Sequence, residues 1–124
     1  MRVIRTNNPI EAGRHTAAII ASQINLKPNC VLGLATGSSP IETYEHLVEW
    51  HKQGDVDFSQ VRAVNLDEYV GLPADHDQSY AWFMRHYLFD HVNIDKANTY
   101  LPDGMTETPD EECANYEKLI KELG

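Results

Sequence analysis

The strongest constraint in this chain is an alternation of two periodicities. Four stretches carry apolar residues at helical spacing, and short apolar runs of strand length separate them. Gly13, Ala17, Ile20 and Ile24 form the first stripe, and Ile41, Tyr44, Leu47, Val48 and His51 the second. Tyr80, Phe83, Met84, Tyr87 and Leu88 form the third, and Cys113, Tyr116, Ile120 and Leu123 the fourth. Between them lie Cys30 to Leu34, Val61 to Leu66 and a weaker run from Thr99 to Leu101, with Arg2 to Arg5 as a candidate extra strand. Such alternation predicts an α/β layer fold with a largely parallel sheet and helices on both faces. No linker or low-complexity tract interrupts it, so residues 1 to 124 read as one domain.

Three helix starts share one local grammar: Asn8-Pro9-Ile10-Glu11, Ser39-Pro40-Ile41-Glu42 and Thr108-Pro109-Asp110-Glu111. Each offers a capping side chain, a proline at the first helical position and a glutamate placed to complete a capping box. Capping alone therefore accounts for Ser39, Pro40 and Glu42. It does not account for what precedes them. Only the second helix follows directly on a strong apolar strand, through the glycine turn Thr36-Gly37-Ser38. In an open parallel sheet, ligands bind beyond the carboxyl ends of strands, where helix N-termini present free N–H groups and partial positive charge. The segment matches neither Gly-x-Gly-x-x-Gly nor Gly-x-x-x-x-Gly-Lys-Ser/Thr, which removes the main support for a dinucleotide or nucleoside triphosphate. Spacing alone leaves a phosphate cradle and a plain turn level.

The second candidate stretch is Val61 to Leu72, where an apolar strand ends in the adjacent carboxylates Asp67 and Glu68. Parallel strands end on one side, so these acids are expected at the same rim as Thr36 to Ser39. Neighbours in extended chain point to opposite sides, so one of the pair is expected to face that crevice. A carboxylate within reach of a sugar carbon can take up its proton. The alternative is capping or surface pairing, which is the favoured reading for Glu68 and level with the catalytic one for Asp67.

Composition narrows the partners. Ten Lys and Arg stand against nineteen Asp and Glu, a balance that repels polyanions and argues against nucleic acid or anionic lipid. No apolar run approaches the length of a membrane span and no signal-peptide pattern opens the chain, so a cytoplasmic setting is expected. Cys30 and Cys113 belong to no metal or redox motif and are expected as buried thiols. The histidine pairs His46/His51 and His86/His91 are five apart, which turns them about 140° from each other on a helix, so no metal is expected. Trp82, Phe83 and Tyr87 continue a helical stripe and read as core.

Taken together, VLGLATGSSPIETYEHLVEWHKQG and VRAVNLDEYVGLPADHDQSYAWFMRHYLFDHVNI resemble the N-terminal half of the glucosamine-6-phosphate deaminase (isomerase) family. The resemblance runs from Met1 to Gly124. The block Asn65 to Leu72 is its most specific part; the Thr-Gly-x-x-Pro loop is shared with 6-phosphogluconolactonases, which carry Asp-Glu-Arg where this chain has Asp67-Glu68-Tyr69. The resemblance implies a Rossmann-like α/β fold and conversion of glucosamine 6-phosphate and water into fructose 6-phosphate and ammonia, with no redox cofactor. It implies Thr36, Gly37, Ser38 and Ser39 as phosphate-binding residues, Glu68 as a further substrate contact, and Asp67 as the base that moves a proton between C2 and C1. Family members are about twice as long. Their ring-opening loop and the basic residues that neutralise the phosphate have no counterpart here, so a truncated piece with an incomplete site is expected. A sheet shortened in this way exposes an edge and apolar faces that favour self-association, as in a homo-oligomer. A lactonase-like hydrolase and a non-catalytic sugar-phosphate binding module are the rival readings.

Overall fold

A computed structural model describes all residues from Met1 to Gly124. Four helices flank a three-stranded sheet: α1 (Pro9–Leu26), β1 (Val31–Leu34), α2 (Ile41–Lys52), β2 (Arg62–Asn65), α3 (Tyr80–Tyr87), β3 (Thr99–Tyr100) and α4 (Pro109–Leu123), with short 3-10 turns at Phe89–His91 and Lys96–Asn98. The strands lie in the order β1-β2-β3, all parallel. Val31 pairs with Arg62 and Leu34 with Asn65, while Ala63 pairs with Thr99. The expected α/β architecture is therefore the observed one. Arg2 to Arg5, however, forms no strand; its residues are irregular and exposed, with no neighbouring strand to pair them.

The core follows the apolar stripes. Ala17 and Ile24 of α1, Tyr44 and Leu47 of α2, Met84 of α3 and Leu88 just beyond it pack with Val61 and Ala63 around Phe58 and Phe89. Cys30 is buried as expected, and burial raises its thiol pKa. Cys113 is exposed, contrary to expectation: α4 buries Tyr116 but turns Cys113 outward. α1 and α2 touch closely where Gly13 passes the first turn of α2. A Cβ at Gly13 would lie 2.5 Å from Glu42 Cβ and 2.9 Å from the Glu42 carbonyl carbon. No helix is long and apolar enough to cross a membrane.

The three proline-led helix starts differ in outcome. Asn8 caps α1, accepting from the Glu11 N–H at 2.8 Å, while Glu11 accepts in return from the Asn7 N–H at 2.8 Å. Neither Ser39 nor Thr108 caps with its side chain. The first intrahelical bond of α2 runs from the Tyr44 N–H to the Pro40 carbonyl, so the cap position falls on Pro40, which has no side-chain oxygen, and Ser39 lies one residue outside it.

Candidate active site

β1 and β2 end level, because Leu34 is in register with Asn65. Thr36 and Asp67 each follow two residues later. The two positions consequently meet on one cleft of about 460 Å³ at the sheet's rim, lined by Gly33, Leu34, Ala35, Thr36, Leu66, Asp67 and Tyr80. Its polar groups are a hydroxyl, a carboxylate and a phenol set against largely apolar walls, a pattern suited to orienting a small polar ligand.

Buried hydrogen bonds hold the two strand ends. Asn65 is 1% exposed and donates its side-chain N–H to the Leu34 carbonyl at 2.8 Å, tying β1 to β2 directly below the cleft. Its Oδ1 atom has no partner. The Tyr44 hydroxyl of α2 donates to the Ala35 carbonyl, one residue before Thr36. The Tyr116 hydroxyl of α4 lies 2.5 Å from the Asn65 carbonyl and 2.8 Å from that of Tyr100, so its single proton serves both strand ends. Burial pushes the Tyr44 phenol well above its ordinary pKa and the Tyr116 phenol up to about 12. Each rim loop thus starts from a carbonyl pinned by a buried tyrosine on a different helix.

Past the first pin the chain turns at Gly37 with φ at +95°, in the left-handed region that favours glycine. Ser38 and Ser39 are exposed. The N–H groups of Gly37, Ser38 and Ser39 have no acceptor within the chain, and neither serine hydroxyl is taken up as a cap. Capping thus leaves this loop's donors unused, and they sit at the positive end of α2. Of the four loop residues, Thr36 alone lines the cleft; Gly37, Ser38 and Ser39 stand beside it.

The paired acids take different roles. Asp67 is exposed and lines the cleft. Glu68 is half-buried and turned to α3, where its carboxylate accepts from the N–H groups of Tyr69 (2.9 Å), Tyr80 (2.8 Å) and Ala81 (2.9 Å). Together with Ser79, whose hydroxyl accepts from the Trp82 N–H at 3.0 Å, it satisfies the free donors at the start of α3. The expectation of Glu68 as a substrate contact thus meets a carboxylate already occupied by three backbone donors, and the alternative weighed for it, capping, is the role it plays in the fold.

The residue the sequence reading missed is Tyr80. Its place in the third apolar stripe assigns it to the core, yet it is the first residue of α3 and its ring reaches the rim. That it follows the capping Ser79 was the available signal, since a first-turn residue stands at the end of its helix. Its ring packs on Tyr69 with centroids 4.6 Å apart. The adjoining Tyr69 side chain, partial loss of solvent and the nearby Asp67 charge raise its phenol pKa, and the Thr36 hydroxyl has a smaller, opposing effect. Among the other expected core aromatics, Phe83 and Tyr87 pack against the core, whereas Trp82 stacks on His86 at 4.5 Å.

Comparison with known proteins adds an independent line. Residues 9 to 124 match the model of a family described as glucosamine-6-phosphate isomerases/6-phosphogluconolactonase. The chain is 51% identical over all 124 residues to a glucosamine-6-phosphate deaminase of Lachnoclostridium phytofermentans and 48% identical to one of Clostridium perfringens, covering 52% and 51% of those proteins. It spans about half the length of the curated relatives it matches. Among solved structures, a monomeric glucosamine-6-phosphate deaminase superposes with a TM-score of 0.97 at 36% identity, again over the whole of this chain and 52% of the other. A 6-phosphogluconolactonase from Thermotoga maritima superposes with a TM-score of 0.73 at 19% identity, a likeness of fold.

Proposed function

The chain belongs to the family of glucosamine-6-phosphate isomerases and 6-phosphogluconolactonases, corresponding to its N-terminal half, and from that membership we propose that it supplies the proton-transferring base and part of the phosphate loop of a glucosamine-6-phosphate deaminase site. The reaction is conversion of glucosamine 6-phosphate and water to fructose 6-phosphate and ammonia, in cytoplasmic amino-sugar catabolism. Asp67 takes the proton from C2 of the ring-opened sugar and returns it to C1, acting first as base and then as acid. Such a positioned group contributes about 10²- to 10⁴-fold to rate. The Thr36 hydroxyl and the N–H groups of Gly37, Ser38 and Ser39 donate to phosphate oxygens, helped by the partial positive charge at the start of α2. Glu68 enters the site indirectly, by fixing the loop that carries Asp67.

The observation that supports this most is that Thr36 and Asp67, from different loops, line one cleft at the carboxyl ends of β1 and β2. The test is incubation of the chain with glucosamine 6-phosphate in heavy water, followed by NMR at C2. Deuterium is expected to enter at C2, and Asp67→Asn is expected to slow that exchange at least about 100-fold while leaving binding in place. Hydrolysis of 6-phosphogluconolactone without exchange marks a lactonase instead. Binding that never leads to exchange marks a binding module.

A further inference from the structure

We propose that Tyr80 is a substrate-positioning residue of this site, its phenol donating a hydrogen bond to a sugar oxygen of the ligand between the carboxylate of Asp67 and the phosphate loop at Thr36. The inference rests on the functional reading above and extends it to a side chain that the sequence pattern assigns to the core.

Three observations carry it. Tyr80 lines the cleft with Thr36 and Asp67 and completes its set of polar side chains. Its backbone is locked to the loop that holds the base: Glu68, next to Asp67 in the chain, accepts from the N–H groups of both Tyr80 and Ala81. Tyr80 and Asp67 are therefore held as one unit, and the cost of ordering the phenol is met on folding rather than on binding. Its environment also suits a donor. The ring packs on Tyr69 with centroids 4.6 Å apart, which holds the phenol at the rim, and the neighbouring Asp67 charge favours its protonated, hydrogen-bond-donating form. The apolar walls formed by Leu34, Ala35 and Leu66 contribute no hydrogen bonds from their side chains, which leaves orientation of the sugar to the three polar groups.

The experiment compares the full chain with Tyr80→Phe, which keeps the ring and removes only the hydroxyl. Calorimetric titrations with glucosamine 6-phosphate and with inorganic phosphate separate a contact to the sugar from a general loosening of the cleft. Tyr80→Phe is expected to weaken glucosamine 6-phosphate binding about fivefold to tenfold, the loss of one neutral hydrogen bond, and to leave inorganic phosphate binding and the melting temperature unchanged. Equal binding of the sugar phosphate by parent and variant overturns the assignment, as does parallel weakening for both ligands. Parent binding with no C2 exchange overturns the catalytic reading while leaving Tyr80 as a contact of a binding site. A parent chain that binds neither ligand overturns both readings together.

Discussion

Replacing Gly13 by alanine sets two effects of known size against each other. In the interior of α1, alanine is favoured over glycine by about 1 kcal/mol because it loses less backbone entropy. Against this, the added methyl would sit 2.5 Å from Glu42 Cβ, 2.9 Å from the Glu42 carbonyl carbon and 3.0 Å from the Thr43 nitrogen. Two of these three atoms are backbone, so no rotamer change relieves the contact; α1 and α2 must move apart by roughly an ångström. Overpacking of this kind costs about 1–3 kcal/mol, and more where backbone must shift. Sterics win, leaving Gly13→Ala destabilised by about 1–2 kcal/mol, or roughly 4–8 °C in melting temperature for a chain of this size. The displaced turn follows directly on the loop from Thr36 to Ser39, so phosphate affinity should fall in the same variant. Thermal melts followed by circular dichroism measure the first effect. A melting temperature at or above the parent's would refute the close helix contact on which the reasoning depends.

Glu68→Ala removes the acceptor for three backbone N–H groups, and a loss of about 1–2 kcal/mol in urea unfolding is expected, with faster amide exchange at Tyr80 and Ala81. At high pH the phenols of Tyr44 and Tyr116 matter: both pKa values are raised in the folded state, so the stability they confer is whole below pH 10 and is lost as pH climbs, through about 12 for Tyr116 and higher still for Tyr44. Melting temperatures measured from pH 9 to 12 should fall, and Tyr116→Phe should flatten the fall. With a thiol reagent, Cys113 should react at once and Cys30 only on unfolding; prompt reaction of both would contradict the packing around Cys30.

The layer order and the core were legible because helical and strand periodicities are both carried by apolar residues, and burial is what reads them. Ala17, Ile24, Leu47 and Met84 illustrate this, each lying where its stripe placed it. What failed was local. The grammar at Ser39 and Thr108 matched Asn8, but the cap of α2 fell on Pro40, one residue later and without a side-chain oxygen, while Thr108 occupies its cap position without bonding a helix N–H. Cys113 belonged to a stripe whose width was overestimated, since α4 buries only Tyr116 fully. At the cleft, the positions of Thr36 and Asp67 followed from strands ending level. Which of two adjacent carboxylates faces outward depended on α3 arriving with unsatisfied N–H groups, and nothing within residues 61 to 72 carries that information. Tyr80 was hidden for a related reason: an aromatic at the tip of a helix obeys the core's spacing while its hydroxyl belongs to the surface.

The strand order β1-β2-β3 has a bearing on how the protein is made. Each strand lies beside the one synthesised just before it, so during translation every new βα unit finds its docking edge already waiting. Assembly can track the ribosome, and the second rim loop is secured last, when α4 docks and its Tyr116 hydroxyl reaches the Asn65 carbonyl.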